Sequence, residues 1–149
     1  MENGVSNFGQ AMKVLLVEDN DADARLVEFL FRQVRQAQVE ILHVQCLGEA
    51  MNLLRNQQFD VLLLDLNLPD SRGLDGLGRL YSTFPLLPIV VFTGTEDEEL
   101  GREAVRGGAQ DYLVKGEVDG WSLWRSLTFA AERKRAELSL SHHDLPVHG

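Results

Sequence analysis

The amino-acid sequence predicts an α/β fold, a doubly wound three-layer sandwich in which strand and helix alternate five times, (βα)5, around a five-stranded parallel sheet. Three observations carry this expectation. Short, continuous runs rich in Val, Ile and Leu have the composition of strands covered on both faces. Between them, apolar residues recur at helical spacing, and turn-forming residues stand at the boundaries. Such alternation implies right-handed crossovers, with helices on both faces of the sheet.

Taken in order, the first strand is "VLLV" (Val14 to Val17), and the helix after it is marked by Leu26, Leu30 and Val34, with Asn20 or Asp21 as its cap. "VEILHVQ" (Val39 to Gln45) is interrupted by Glu40, His43 and Gln45, which suits an edge strand. Leu47, Ala50 and Leu54 mark the second helix, "VLLL" (Val61 to Leu64) the third strand, and Leu74, Leu77 and Tyr81 the third helix. Pro85 and Pro88 precede the fourth strand, "IVVF" (Ile89 to Phe92). Leu100, Ala104 and Val105 mark a fourth helix closed by Gly107-Gly108, and "YLV" (Tyr112 to Val114) is the fifth strand. A last helix is expected from about residue 119 to 140, where Trp124, Leu127, Ala131, Lys134 and Leu138 form a weak heptad broken by a lysine. It reads either as a solvated helix end or as the start of a connecting coiled coil. The tail "SHHDLPVHG" lacks periodicity and is expected to be disordered.

With 149 residues, 44% of them hydrophobic and 25% charged, the chain fits one soluble domain with a real core. No apolar run is long enough for a membrane span, and "MENGVSNFGQAMK" lacks the pattern of a signal peptide, so a cytoplasmic location is expected. Cys46 is the single cysteine, which leaves no disulfide framework and reads as a small core residue. A formal charge of −9 argues against a nucleic-acid partner. The basic run Arg133-Lys134-Arg135 reads as cations near a helix C-terminus.

The residues that carry chemistry stand at the strand ends. The first strand ends in Glu18-Asp19, the third in Asp65, the fourth in Thr93 and the fifth in Lys115. In a parallel sheet these ends share one rim, the place where doubly wound folds bind ligands. Carboxylates at close range repel, and each is pushed toward its neutral form unless a cation relieves it. Mg²⁺ does so with oxygen ligands, needing only one or two carboxylates and keeping several waters. Lys115 adds a mobile positive charge and Thr93 a hydroxyl donor, a combination suited to phosphoryl oxygens. An Asp there can act as nucleophile, because carboxylates form acyl phosphates and catalysis of the transfer is largely positioning and charge neutralisation. Each feature alone has a plainer reading: acids at a helix N-terminus, a turn residue, a strand threonine, a solvated lysine. Their joint occurrence, each directly after an apolar strand, points to chemistry.

At these positions the chain resembles the receiver domain of bacterial two-component response regulators, the chemotaxis receivers among them, over about Lys13 to Arg133. "VLLVEDN" matches that family's acidic pair, "VLLLDLNLPDSRGL" its phosphoacceptor loop, "IVVFTG" its hydroxyl residue and "DYLVKG" its lysine. The resemblance implies a flavodoxin-like sheet in the order 2-1-3-4-5. It implies that Asp65 accepts a phosphoryl group from a histidine kinase or phosphotransfer protein. Asp19, Asp65 and the backbone carbonyl of Asn67 would hold Mg²⁺, with Glu18 acting through a metal-bound water. Thr93 and Lys115 would bind the phosphoryl oxygens, Thr93 and Tyr112 would form the switch, and Asn67 and Thr95 would tune phosphoryl loss. Plain strand packing is the rival reading of Tyr112. Phosphorylation would add about −1.5 to −2 charges at the rim and change a partner face on the fourth helix, fifth strand and fifth helix, including Leu100, Val105, Tyr112, Trp121 and Trp124. That face is offered to a downstream signalling protein or domain, with homodimerisation through it as one option. At least one tryptophan is expected in ordinary packing, and an exposed one marks an interface. The implied organisation is a flexible tail over 1–12, a receiver over 13–133, and a helix end and tail over 134–149 that can link to a further domain.

Two positions depart from the family pattern. Gly116 follows the lysine where proline is usual, so the loop after the fifth strand is expected to differ, and Gly94 stands where alanine is common. A rival from the enzyme class, a haloacid-dehalogenase-type phosphatase, needs its nucleophile on the first strand and a second Asp two residues later, whereas Asn67 occupies that spacing here. A receiver-like module that is never phosphorylated is the third reading. The chain is expected to be a phosphoacceptor and not an enzyme, with at most self-phosphorylation from small donors and self-dephosphorylation. His142 and His143, adjacent in a polar tail, have poor spacing for a shared metal.

Overall fold

The computed structural model describes residues 11–94 and 96–148, with side chains to residue 140. The chain alternates β1 (Met12–Val17), α1 (Asp21–Arg32), β2 (Val39–Val44), α2 (Leu47–Asn56), β3 (Val61–Leu64), α3 (Asp75–Thr83), β4 (Ile89–Thr93), α4 (Glu98–Arg106), β5 (Asp111–Val114) and α5 (Gly120–His148). The five strands form one sheet in the order β2-β1-β3-β4-β5, every pair parallel. This is the doubly wound order expected from the family resemblance. A two-residue antiparallel ladder, Asn67–Leu68 against Ser71–Arg72, folds the loop after β3.

The continuous apolar runs are explained by two cores, one on each face of the sheet. Leu15, Val17, Leu62, Leu64, Ile89 and Val91 pack under α2, α3 and α4, while Val14, Leu16, Val61, Leu63, Val90 and Phe92 pack under α1 and α5. Successive strand residues point to opposite faces, so both members of each alternation must be apolar. β2, at the edge, is only partly buried along most of its length. Asn20 caps α1, its side chain accepting from the Asp23 N–H, and the chain leaves α4 through Gly107 and Gly108, the latter at φ +115°. α1 and α5 meet so closely that a Cβ on Gly120 would lie 2.2 Å from the Leu30 carbonyl oxygen.

Several expectations need correction. Met12, assigned to the tail, opens β1, while residues 1–10 lie outside the described residues. In α3 the buried partner of Leu77 is Leu80, and Tyr81 is exposed; in α4 Ala104 is buried and Val105 exposed. Cys46 is half-buried at the start of α2, not a core residue. Helix α5 continues to His148, through the tail expected to be disordered. From Trp121 to Leu140 the sequence contains neither glycine nor proline and is rich in Ala, Glu, Arg and Leu, all strong helix formers; composition does not explain why the helix runs on through Ser141 to His148, a stretch that includes Pro146. Arg133-Lys134-Arg135 therefore lies within the helix: Arg133 Nε donates to Gln110 Oε1 at 3.0 Å, and Lys134 pairs with Glu137 at 3.5 Å. His142 and His143 lie beyond the described side chains. Among the described residues, no helix is long and apolar enough to cross a membrane.

Candidate functional site

The sheet's hydrogen bonding runs one residue past the strand ends, which fixes the backbone of the acids and the lysine. The N–H of Glu18 donates to Val44 O at 3.0 Å, that of Asp65 to Val17 O at 3.0 Å, and that of Lys115 to Thr93 O at 2.8 Å. Side chains far apart in sequence thereby line one cleft of about 730 Å³, among them Glu18, Asp19, Asp65, Thr93 and Lys115. Glu18, Asp65 and Thr93 are buried, and Asp19 is exposed at the mouth. Oxygens of Glu18, Asp19 and Asp65 lie within 4.8 Å of one another.

Lys115 reaches into this acidic cluster. Its Nζ lies 2.6 Å from Glu18 Oε1, 2.8 Å from Asp23 Oδ2 and 3.5 Å from Asp65 Oδ2. Burial pushes the Glu18 carboxyl up to about 7; the Asp65 charge adds to the rise, while Lys115 and the Asn20 N–H (3.1 Å) oppose it. Burial alone would lower the Lys115 ammonium, but hydrogen bonds to Asp23 and Glu18 outweigh it and raise the group above its ordinary value. The Asp65 carboxylate accepts a long bond from the Asn67 N–H, 3.3 Å.

Tyr112 lies on β5, partly buried against the core under α4, and a Cβ on Gly101 would meet its ring at 3.1 Å. Burial and the nearby Asp97 carboxylate raise its phenol. Thr95 lies outside the described residues. A Cβ on Gly94 or Gly116 would meet nothing within 4 Å, and there is no cis peptide among the described residues.

Two contacts escaped sequence reasoning. Asp23, an acid in the first turn of α1, bonds Lys115, which nothing in its place along the chain reveals. Asp70, in the loop after Asp65, accepts from the N–H groups of Leu47 at 2.9 Å and Gly48 at 3.0 Å, capping α2 where Cys46 offers no side-chain cap. Its carboxyl falls below the ordinary range because these donors outweigh burial. The only signal was an Asp near the start of a different helix, which spacing along the chain cannot reveal.

The tryptophans are also redistributed. Ser126 Oγ donates to Asp111 Oδ2 at 2.7 Å and marks the side of α5 that faces β5. At 100° per residue, Trp124 and Trp121 lie about 160° and about 140° around the helix from Ser126, on the side away from β5. Trp124 packs partly into the core shared with α1, its ring centroid 5.2 Å from that of Trp121, which is exposed. Phe129, also exposed, lies only about 60° from Ser126 and takes the place the tryptophans were expected to hold.

The family model of the response regulator receiver domain matches residues 14–120. The chain belongs to the response regulator receiver family. Among curated relatives, the cell cycle transcriptional regulator CtrA of Caulobacter vibrioides is 33% identical over 105 residues, which cover 70% of this chain and 44% of CtrA. The autoinducer 2 sensor kinase/phosphatase LuxQ of Vibrio vulnificus is 36% identical over 109 residues, 72% of this chain and 12% of LuxQ. This receiver chain thus spans less than half the length of either relative. Among solved structures, the signal receiver domain of an HD domain-containing protein from Pseudomonas fluorescens Pf-5 superimposes with a TM-score of 0.76 at 22% identity, covering 91% of this chain and 97% of that one. The phosphorylated cyanobacterial phytochrome response regulator RcpA gives a TM-score of 0.62 at 27% identity, covering 87% and 96%. A Mn²⁺-bound response regulator, Rcp1, gives 0.61 at 25% identity, covering 81% and 90%.

Proposed function

We propose that this receiver domain accepts a phosphoryl group on Asp65 from the phosphohistidine of a histidine kinase or phosphotransfer protein, in a divalent-cation-dependent reaction. The observation that carries this is the convergence of three carboxylates, a threonine hydroxyl and a lysine ammonium on one rim. Oxygen donors this close, one of them exposed, suit a hard divalent cation such as Mg²⁺. Asp19, Asp65 and the Asn67 carbonyl would hold it, with Glu18 acting through water. When bound, Mg²⁺ supplies charge neutralisation for the carboxylates and the incoming phosphoryl oxygens. RcpA in its phosphorylated form and Mn²⁺-bound Rcp1 support the same reading by kinship.

In the transfer, an Asp65 carboxylate oxygen attacks phosphorus, the P–N bond to the donor histidine breaks, and the leaving imidazole takes up a proton. Lys115 and the Thr93 hydroxyl hold the phosphoryl oxygens. The added charge, about −1.5 to −2, draws both inward, and Tyr112 moves into the space the threonine vacates. The face formed by α4, β5 and α5 then offers a changed surface to a downstream signalling protein or domain, or to a second copy. Asn67 and Thr95 set the rate of phosphoryl loss. The chain acts as a phosphoacceptor in signalling, within the cytoplasm.

Intact mass measured with Mg²⁺ and acetyl phosphate tests this. A gain of one phosphoryl group, absent for Asp65→Asn and absent without the metal, is the expected result. A gain that survives Asp65→Asn assigns the acceptor elsewhere. No gain with acetyl phosphate or with a phosphorylated kinase leaves the reading without support and favours a phosphorylation-independent module.

A further inference from the structure

The rim contains one acid that neither the phosphoacceptor nor the cation requires. Asp23 sits in the first turn of α1, three residues after the cap Asn20, and its own N–H donates to Asn20 Oδ1 at 2.9 Å. An acid at this position commonly turns back onto the N–H of the cap residue. Here that N–H is taken by Glu18 Oε2 at 3.1 Å, and the Asp23 carboxylate points to Lys115 instead, 2.8 Å away. Asp23 is not one of the three acids whose oxygens converge.

An ammonium has three donors. The two short contacts of Lys115 go to Glu18 and Asp23, at 2.6 and 2.8 Å, and the phosphoacceptor receives the longest, at 3.5 Å. The Lys115 side chain is 11% exposed and that of Asp23 37%, so the tether has one end in water, where solvent can replace it.

We propose that Asp23 is a positioning residue for Lys115, holding the ammonium toward α1 and competing for it with an incoming phosphoryl group. It thereby sets how readily the rim takes up and keeps that group. The inference rests on the phosphoacceptor reading of Asp65. Two effects act in the same direction. Lys115 must share or give up the Asp23 bond to serve the phosphoryl oxygens, and the Asp23 charge repels their charge. Asn in place of Asp keeps size and polarity, removes the charge and leaves Lys115 only a weaker, neutral acceptor.

The test is the affinity for beryllofluoride, a phosphoryl mimic, by titration calorimetry at saturating Mg²⁺. Asp23→Asn is expected to bind about fivefold tighter than wild type, as for loss of one partly exposed ion pair. Asp23→Glu, which keeps the charge, stays within about twofold of wild type, and both variants unfold near the wild-type temperature. A merely structural role would move the unfolding temperature and not the affinity. Asp23→Asn binding no tighter than wild type overturns the inference, as does Asp23→Glu tightening equally. Wild type that neither binds beryllofluoride nor gains a phosphoryl group removes the reading of Asp65, and this inference with it; binding that is blocked by Asp65→Asn but indifferent to Asp23 removes the inference alone.

Discussion

The carboxyl rim of the sheet and the edge formed by α4, β5 and α5 share β5 but are built in opposite ways. The rim buries charge: Glu18 is 1% exposed and Asp65 6%. The edge exposes apolar surface: Val105 is 51% exposed and Phe129 49%. Each arrangement costs stability until something relieves it; under the proposed function that is a cation at the rim and a protein surface at the edge. Tyr112 lies between them, its ring against Gly101 of α4 and its strand leading directly to Lys115.

The sharpest way to break this contrast is to remove Lys115, the one cation that lines the rim among the described residues. Lys115→Met leaves Glu18 and Asp65 buried without their ammonium, and an uncompensated buried charge costs about 3 kcal/mol at about pH 8. Denaturant unfolding without Mg²⁺ reads the loss, and added Mg²⁺ restores part of it. Protons should relieve the rim in the same way. Glu18 is held up at about 7 against an unfolded value of 4.5, so the folded chain binds its proton more tightly than the unfolded chain. The stability this provides is fully present below 4.5 and is lost as pH rises through about 7. Metal-free protein should therefore unfold more easily at about pH 8 than at about pH 5, and Glu18→Gln should flatten that dependence.

A smaller effect tests the loop that carries Asp65. Asp70→Ala removes the cap on α2 and should cost about 1 kcal/mol, seen as a lower melting temperature. At the edge the sign of the contrast reverses. Phe129→Ser should change stability by less than about 0.5 kcal/mol, while pull-down or calorimetry with an edge-binding partner, or sedimentation of a dimer, should show weakened association.

The rim was legible because a parallel sheet turns strand order into spatial order: once four apolar runs were strands, Glu18, Asp65, Thr93 and Lys115 had to share an end. What the sequence could not convey depends on helix phase and loop path. Asp23 reaches Lys115 only because the start of α1 is turned toward β5, and Asp70 caps α2 only because its loop crosses over that helix. The apolar residues of α5 repeat at a spacing that fits several rotations of the helix. The Ser126–Asp111 bond selects one of them and puts Phe129, not the tryptophans, beside β5. The length of α5 was not legible because its last residues, Ser141 to His148, carry neither periodicity nor helix-forming composition and include Pro146.

The most direct measurement is amide hydrogen exchange with Mg²⁺ and acetyl phosphate, on wild type and Asp65→Asn. If the buried charge of the rim drives the exposed surface of the edge, exchange should change at Asp65 and Thr93 and also at Tyr112 and along α5 around Phe129, all of it absent in Asp65→Asn. A response confined to the rim, with β5 and α5 unchanged, would show that the two regions are not coupled and contradict the link through Tyr112.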